Sequence, residues 1–244
     1  MMSNEVEKIT PYESTAGKAE QVRQMFDSIA PAYDFMNRAM TLGIDRWWRR
    51  RAVSTVKRHT QGDLLDVATG TGDFAILLHD RCQARSVTGI DLSEGMLAVA
   101  RRKVQGRRIA FEQGDCLALP YGDGTFDAVT VAFGVRNFAD IAAGYGQMHR
   151  VLRPGGMVAV LELSTPTQRV IRWLYDLYTL HIIPWVGALI SHDREAYRYL
   201  PRSIAAVPQG DDMLALMRSA GFENCQARRF TLGTCTLYTA VKAL

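Results

Sequence analysis

Apolar positions along the chain change period several times, and each change marks an element. From Gly17 to Ile29, the residues Val22, Met25, Phe26 and Ile29 recur at i, i+3, i+4 and i+7, one stripe of a helix that Pro31 stops. The stretch from Tyr33 to Val53 is rich in aromatics and arginine, and it predicts a helix beyond Asp45. Further on, five short β-like runs are expected as strands: 64–68, 86–91, 108–114, 126–133 and 157–163. Runs at helical spacing separate them at 74–80, 93–104 and 141–152. Residues 1–16 carry no such pattern and are expected to be loosely docked.

Strand–helix alternation implies a parallel sheet covered by helices on both faces, with ligands beyond the carboxyl ends of the strands. Residues 166–205 interrupt the alternation with a long aromatic helical segment, before a helix at 211–220 and two strands at 222–230 and 234–242. The short turn between these last two requires antiparallel pairing. The expected fold is therefore α/β, a mostly parallel seven-stranded sheet with a C-terminal antiparallel hairpin. That is the outline of a class I methyltransferase more than of a dehydrogenase. One domain is expected over 1–244. It divides into N-terminal lid helices (17–60), a cofactor-binding core (61–164), a substrate-binding helical insertion (165–205), and a final helix and hairpin (206–244).

Composition excludes whole classes without choosing a function. The 244 residues are 48% hydrophobic and 22% charged, which is globular rather than disordered. A formal charge of +4 is too slight to indicate nucleic acid by itself. Four cysteines, at 82, 116, 225 and 235, form no C-x-x-C pair, so reduced thiols and no metal are expected. The polar, acidic start is unlike a secretion signal, and no stretch of about 18 residues is apolar enough to span a bilayer. A cytoplasmic protein is expected.

The sharpest local signal is the run from Leu64 to Ala75, where a strand ends at Asp66, Gly70 and Gly72 permit a tight turn, and a helix opens near Asp73. Gly70, Gly72 and Ala75 also satisfy the dinucleotide pattern, and Asp91 stands where a ribose-binding acid belongs. Asp91 equally suits a helix cap. These residues indicate an adenosine without specifying which cofactor carries it. Asp66 tilts the choice, since an ammonium-bearing cofactor needs an anion there and a pyrophosphate is repelled. Asp115 suits either an adenine amino group or a turn. The run Arg150–Gly156 closes a helix with Pro-Gly-Gly before the fifth strand. S-adenosylmethionine is the expected cofactor, and an NAD(P)-dependent oxidoreductase is the alternative.

Two segments carry a more specific likeness: Tyr33-Asp34-x-Met36-Asn37 with Met40-Thr41-x-Gly43 and Trp48, and Arg150–Gly156 running through Val160-Leu161-Glu162-x-Ser164. FGVRN (133–137), HIIPWVG (181–187) and Tyr197–Leu200 add to it. The chain resembles the ubiquinone/menaquinone biosynthesis C-methyltransferases from about Gly17 onward. The resemblance implies methylation of a ring carbon on a polyprenylated quinol, with cofactor contacts at Thr71, Asp91, Asp115 and Cys116. Many members have His at the position of Asp45, so a histidine role there does not carry over.

Arg136 and Asn137 follow the fourth strand, where the acceptor must meet the cofactor. With the resemblance, Arg136 is expected to stabilise a phenolate and Asn137 to orient the same oxygen; without it, Arg136 caps a strand end. Asp34 is a candidate general base, ahead of His181 and His192. Tyr33, Tyr178 and His181 are expected to bind substrate. Ile171, Leu174, Tyr175 and Tyr178 share one helical face, suited to an isoprenoid tail or to plain core. Arg46, Arg49, Arg50 and Arg51 beside Trp47 and Trp48 suit lipid headgroups at the inner face of the cell membrane, or a solvated helix face with its indoles in the core. Without an aromatic RNA-binding signature, a nucleic-acid partner is not expected.

Overall fold

The computed structural model describes residues 4–104, 106–179 and 194–244. Seven strands form one sheet: β1 (Asp63–Val67), β2 (Ser86–Asp91), β3 (Ile109–Gln113), β4 (Phe126–Ala132), β5 (Leu152–Leu163), β6 (Phe222–Phe230) and β7 (Cys235–Lys242). Their order is β3-β2-β1-β4-β5-β7-β6. The first five pair in parallel, while β7 runs antiparallel to both β5 and β6. This is the expected topology, and the reversed β7 excludes a sixth parallel strand next to β5.

Period-two alternation decides which face each side chain joins. Leu64, Ala128, Ala159 and Leu161 pack beneath α4 (Asp45–His59) and α5 (Asp73–Cys82). Leu65, Val67, Val129, Val131, Val158 and Val160 pack on the other face, with α7 (Ile141–Val151) and the helix Asp211–Ser219. The middle strands are buried on both faces, which is why they read as continuous apolar runs. A third, smaller core joins α2 (Lys18–Ile29) and α3 (Tyr33–Thr41) to α6 (Glu94–Lys103) and to the helix Arg194–Ala206.

Several expectations need correction. Residues 1–16 are not all loose: the short helix α1 (Glu5–Lys8) buries Val6 completely, and buried Lys18 donates to the Val6 and Arg136 carbonyls at 2.6 and 3.2 Å. The helix expected beyond Asp45 is α4, but α3 precedes it, ended by Leu42 and Gly43, both at positive φ. Strand β5 begins at Leu152, not at 157, because Arg153–Gly156 bulge within it where Phe126 pairs with Leu152 and Ala128 with Met157. The arginine–tryptophan cluster divides: Trp48 and Arg49 are buried, while Arg46, Trp47, Arg50 and Arg51 face outward. Within 166–205 lie α8 (Arg169–Leu177) and the helix Arg194–Ala206. His181, His192 and the segment 181–187 fall outside the described residues. All four cysteines are free.

Candidate active site

Where β1, β2 and β4 end, the backbone turns sharply, and the turns leave a small cavity of about 80 Å³. Ala68, Gly70, Asp91, Asp115, Cys116 and Phe133 line it, roofed by Val22 and Phe26 of α2. Ala68 and Phe133 hold φ of 52° and 62°, a left-handed conformation that costs a side-chain-bearing residue on the order of 1–3 kcal/mol. Both follow directly on neighbouring strands, so two strained turns define the cavity's inner wall.

The two glycines of the turn do different work. Gly70, at φ 58°, has nothing within 4 Å of where a Cβ would stand, so its surface is open toward the cavity it lines. Gly72, at φ 77°, is a packing glycine: a Cβ there would come within 2.7 Å of the Phe111 ring and 3.0 Å of Ala100. Gly72 itself does not line the cavity.

Asp91 sits at the end of β2 and accepts from the Gly70 amide at 2.7 Å and the Ser93 amide at 2.9 Å. Its carboxylate faces the cavity with lone pairs left over. Burial raises its pKa to about 6, with the backbone donors opposing. Asp115 accepts from the Leu117 amide at 2.9 Å and lines the cavity beside Cys116. A ribose-type diol facing Asp91 and an adenine ring against Asp115 and Cys116 suit this donor and acceptor set, and the bare Gly70 surface admits a ligand against the backbone.

Three sequence readings do not gather here. Asp66 is buried beneath the turn, where Thr69 and Thr130 donate to its two oxygens at 2.6 and 2.7 Å, so it steadies the turn instead of meeting an ammonium group. Thr71 is buried and donates to Asp34 at 2.6 Å, which makes it a link to α3 instead of a cavity wall. Asp34 also accepts from Lys103 at 2.7 Å, and Lys103 pairs with Asp73. Tied to a hydroxyl and an ammonium and absent from the cavity walls, Asp34 holds the α3 N-terminus to the glycine turn.

A second, larger cavity of about 480 Å³ adjoins the first and shares Tyr33 and Phe133 with it. Its walls are mostly apolar, from α3, α4, α8 and the helix Arg194–Ala206, and include Met40, Trp48, Leu163, Tyr175, Tyr178 and Ile204. Tyr178 donates to the Met40 carbonyl at 2.8 Å. Of the expected stripe, Tyr175 and Tyr178 reach this cavity, whereas Leu174 is 53% exposed. Asp45 pairs with Arg49, whose guanidinium lies 5.2 Å from the centre of the Phe133 ring. The Asp45 carboxylate is therefore committed to an ion pair.

Arg136, in the turn Val135–Asn137, lines the larger cavity and a side chamber that it shares with Tyr33, Asn137 and Tyr199. It is not a free cation. Nη1 donates to Glu162 Oε1 at 2.9 Å and to the Phe133 carbonyl. Burial works against its charge, and the Glu162 carboxylate together with Tyr33 and Tyr199 more than offsets this, raising its pKa above the ordinary value. Four buried side-chain atoms among the described residues have no hydrogen-bond partner, and three belong to this chamber: Arg136 Nε, Asn137 Oδ1 and Tyr199 Oη. Glu162 and Tyr199, which the sequence reading gave no role of their own, meet Arg136 here. A charged residue in the apolar run from Met157 to Leu163 was the available signal for Glu162.

The parallel sheet with its reversed β7, and a cavity over the ends of β1, β2 and β4, define the class I methyltransferase fold. The profile of the ubiE/COQ5 methyltransferase family matches residues 14–242, and the chain belongs to that family. It is 48% identical over 240 residues to a protein named demethylmenaquinone methyltransferase from Bacteroides fragilis, covering 97% of this chain and 98% of that one. It is 45% identical over 242 residues to one named ubiquinone/menaquinone biosynthesis C-methyltransferase UbiE from Geobacter sulfurreducens, covering 97% and 94%. Among solved structures, the [4+2]-cyclase SpnF superposes with a TM-score of 0.69 at 19% identity, over 93% of this chain and 96% of that one. A possible histamine N-methyltransferase from Thermotoga maritima gives 0.63 at 17%, over 91% and 99%. A cyclase and a methyltransferase on one scaffold make the structural likeness a statement about fold alone.

Proposed function

We propose that the chain methylates a ring carbon of a polyprenylated quinol, converting demethylmenaquinol to menaquinol with S-adenosylmethionine as methyl donor. The observation that carries this is the pair of adjoining cavities: a smaller one that holds the carboxylates Asp91 and Asp115 beside the bare Gly70 surface, and a larger, mostly apolar one with a buried arginine, the two sharing Tyr33 and Phe133. The names of the similar proteins from B. fragilis and G. sulfurreducens agree with it.

When bound, S-adenosylmethionine supplies an electrophilic methyl group. Asp91 would accept from its ribose, Asp115 and Cys116 would flank its base, and the bare Gly70 surface would leave room for its amino-acid chain. The residues of the second cavity make the acceptor carbon nucleophilic. An oxidised quinone ring is electron-poor, so the reduced quinol is the acceptor. A phenol ionises near pH 10. Arg136, buried and held charged by Glu162, lowers that requirement by stabilising the phenolate in a low-dielectric site. Arginine does not itself take the proton at neutral pH. Orientation supplies the remainder, since two reactants held in adjoining cavities react as if intramolecular.

Tyr33 and Tyr178 line the acceptor side, and the apolar cavity between α3, α4 and α8 takes the first isoprenoid units. Exposed Leu42, Trp47, Trp173 and Leu232, with outward Arg46, Arg50 and Arg51, support peripheral contact with an anionic membrane that holds the rest of the tail. No helix among the described residues is long and apolar enough to cross a membrane.

Calorimetry tests the cofactor: S-adenosylhomocysteine binds and NAD does not. Turnover tests the reaction: reduced demethylmenaquinone is methylated and the oxidised form is inert. NAD binding without S-adenosylhomocysteine binding, or equal turnover on both redox forms, overturns the reading. Running a reduced ubiquinone precursor beside it determines whether one or both rings are accepted.

A further inference from the structure

The side chamber formed by α2, α3, the turn Val135–Asn137 and the helix Arg194–Ala206 holds three buried polar groups that the fold itself does not use. A buried hydroxyl without a partner is a cost to the folded state, and it is expected where a ligand supplies the missing bond. Tyr199 is only 2% exposed, and its Oη has no partner. Its helix also supplies Leu200 to both chambers and Ile204 to the larger one, so the same element that walls the acceptor cavity carries this hydroxyl beside Arg136.

We propose that Tyr199 is a substrate-contacting residue that, together with Arg136 Nε and Asn137 Oδ1, reads the oxygens of the reduced acceptor ring and selects the quinol over the quinone. The chemistry of the three groups is complementary to a singly ionised hydroquinone. Arg136 Nε and the Tyr199 hydroxyl are donors suited to the phenolate oxygen. Asn137 Oδ1 is an acceptor suited to the remaining ring hydroxyl. An oxidised quinone offers two acceptors and no donor, which leaves the buried Asn137 oxygen unpaired, and sites built to bond a hydroxyl reject analogues that lack one. Burial pushes the Tyr199 phenol up to about 12 despite the opposing Arg136 charge. It therefore remains protonated, and a donor, across the neutral range.

This inference rests on the reading of the acceptor as a phenolic ring, and the experiment separates the two. Tyr199→Phe removes one oxygen and no packing. The melting temperature should equal or exceed that of the wild type, because the hydroxyl makes no bond in the fold and its burial is a cost, and S-adenosylhomocysteine affinity should match, because Tyr199 lies outside the cofactor cavity. With reduced demethylmenaquinone, kcat/KM should fall about 10- to 100-fold, the loss expected for one hydrogen bond to a charged oxygen. The rising limb of its pH–rate profile should move to higher pH, since the phenolate has lost a donor; a structural role would not move it. Turnover within twofold of wild type with an unshifted limb overturns the proposal. A markedly lowered melting temperature also overturns it, because the hydroxyl would then be serving the fold. Absence of wild-type turnover on the reduced acceptor overturns the reading of the acceptor itself, and this proposal with it.

Discussion

Arg136 and Glu162 form a buried ion pair, Nη1 to Oε1 at 2.9 Å, with their side chains 7% and 1% exposed. Glu162 also accepts from the Arg136 backbone amide at 3.2 Å and from the Leu163 amide at 2.9 Å. The carboxylate thus fixes both the side chain and the backbone of the turn after β4. Such a pair adds little net stability over an apolar alternative, because desolvation consumes most of the attraction. What it does is hold a charged guanidinium in a fixed orientation at the wall of the larger cavity, as the proposed phenolate-stabilising role requires.

Glu162→Gln keeps the shape and removes the charge. Stability should fall by roughly 3–5 kcal/mol, the range for leaving one charge of a buried pair uncompensated. Turnover on the reduced quinol should fall more steeply than cofactor affinity, as Arg136 loses its orientation. Chemical denaturation and calorimetry measure the two effects separately; equal losses in both would assign Glu162 to the fold alone.

The side chain of Arg136 is itself open to a conservative test. Arg136→Lys keeps a cation but cannot reproduce the fork that reaches Glu162 and the Phe133 carbonyl together. S-adenosylhomocysteine binding should persist while most turnover is lost. An unaffected rate would remove Arg136 from the phenolate-stabilising role.

The two turn glycines should separate folding from binding. Gly72→Ala forces a Cβ to 2.7 Å from Phe111 at a φ of 77° and should destabilise the protein by roughly 2–4 kcal/mol. Gly70→Ala meets only the cost of its left-handed φ, about 1–2 kcal/mol, but intrudes on the cavity. Its melting temperature should exceed that of Gly72→Ala while its S-adenosylhomocysteine affinity is lower. The reverse order would place the ligand elsewhere.

Asp66 gives a pH-dependent prediction. Burial raises its pKa to about 6, against the donated bonds of Thr130 and Thr69, while an unfolded aspartate titrates near 3.9. Between those values the folded chain binds more protons than the unfolded one. The stability this group contributes is therefore full below about pH 4 and lost as pH rises through about 6. Asp66→Asn should be more stable than wild type at pH 7.5, by on the order of 1–3 kcal/mol, with the gap closing as pH falls below 6. Urea midpoints at several pH values measure this, and a gap independent of pH would show that burial does not set the carboxylate's titration.

Asp34→Asn tests a negative. The carboxylate is committed to Thr71 and Lys103, so losing its charge should reduce turnover by no more than about threefold, and stability by roughly 0.5–1 kcal/mol for a partly exposed pair. A hundredfold fall in kcat with unchanged KM would restore Asp34 as the base.

Local pattern determined what depends on neighbours along the chain. The alternation of Leu64 with Leu65, the stripe Val22–Met25–Ile29 and the glycine turn were legible because periodicity and positive φ are properties of short segments. So was the antiparallel pairing of β6 with β7, since a short turn permits no other, whereas the insertion of β7 beside β5 is a tertiary result. The resemblance over 33–48 and 150–164 supplied the chemistry. Tertiary structure decided what depends on residues far apart. Asp66 and Asp91 end adjacent strands and look equivalent in sequence, yet Thr130 and Thr69 consume one while the other faces a cavity. Asp34 looked like a free acid until Thr71 and Lys103, some 37 and 69 positions away, met it. Glu162 and Tyr199 stood in segments that carry the resemblance, but their meeting with Arg136 appears only where β5 and the helix Arg194–Ala206 converge on it. The partner of a buried polar group is chosen by packing across the fold, and no pattern within one segment encodes it.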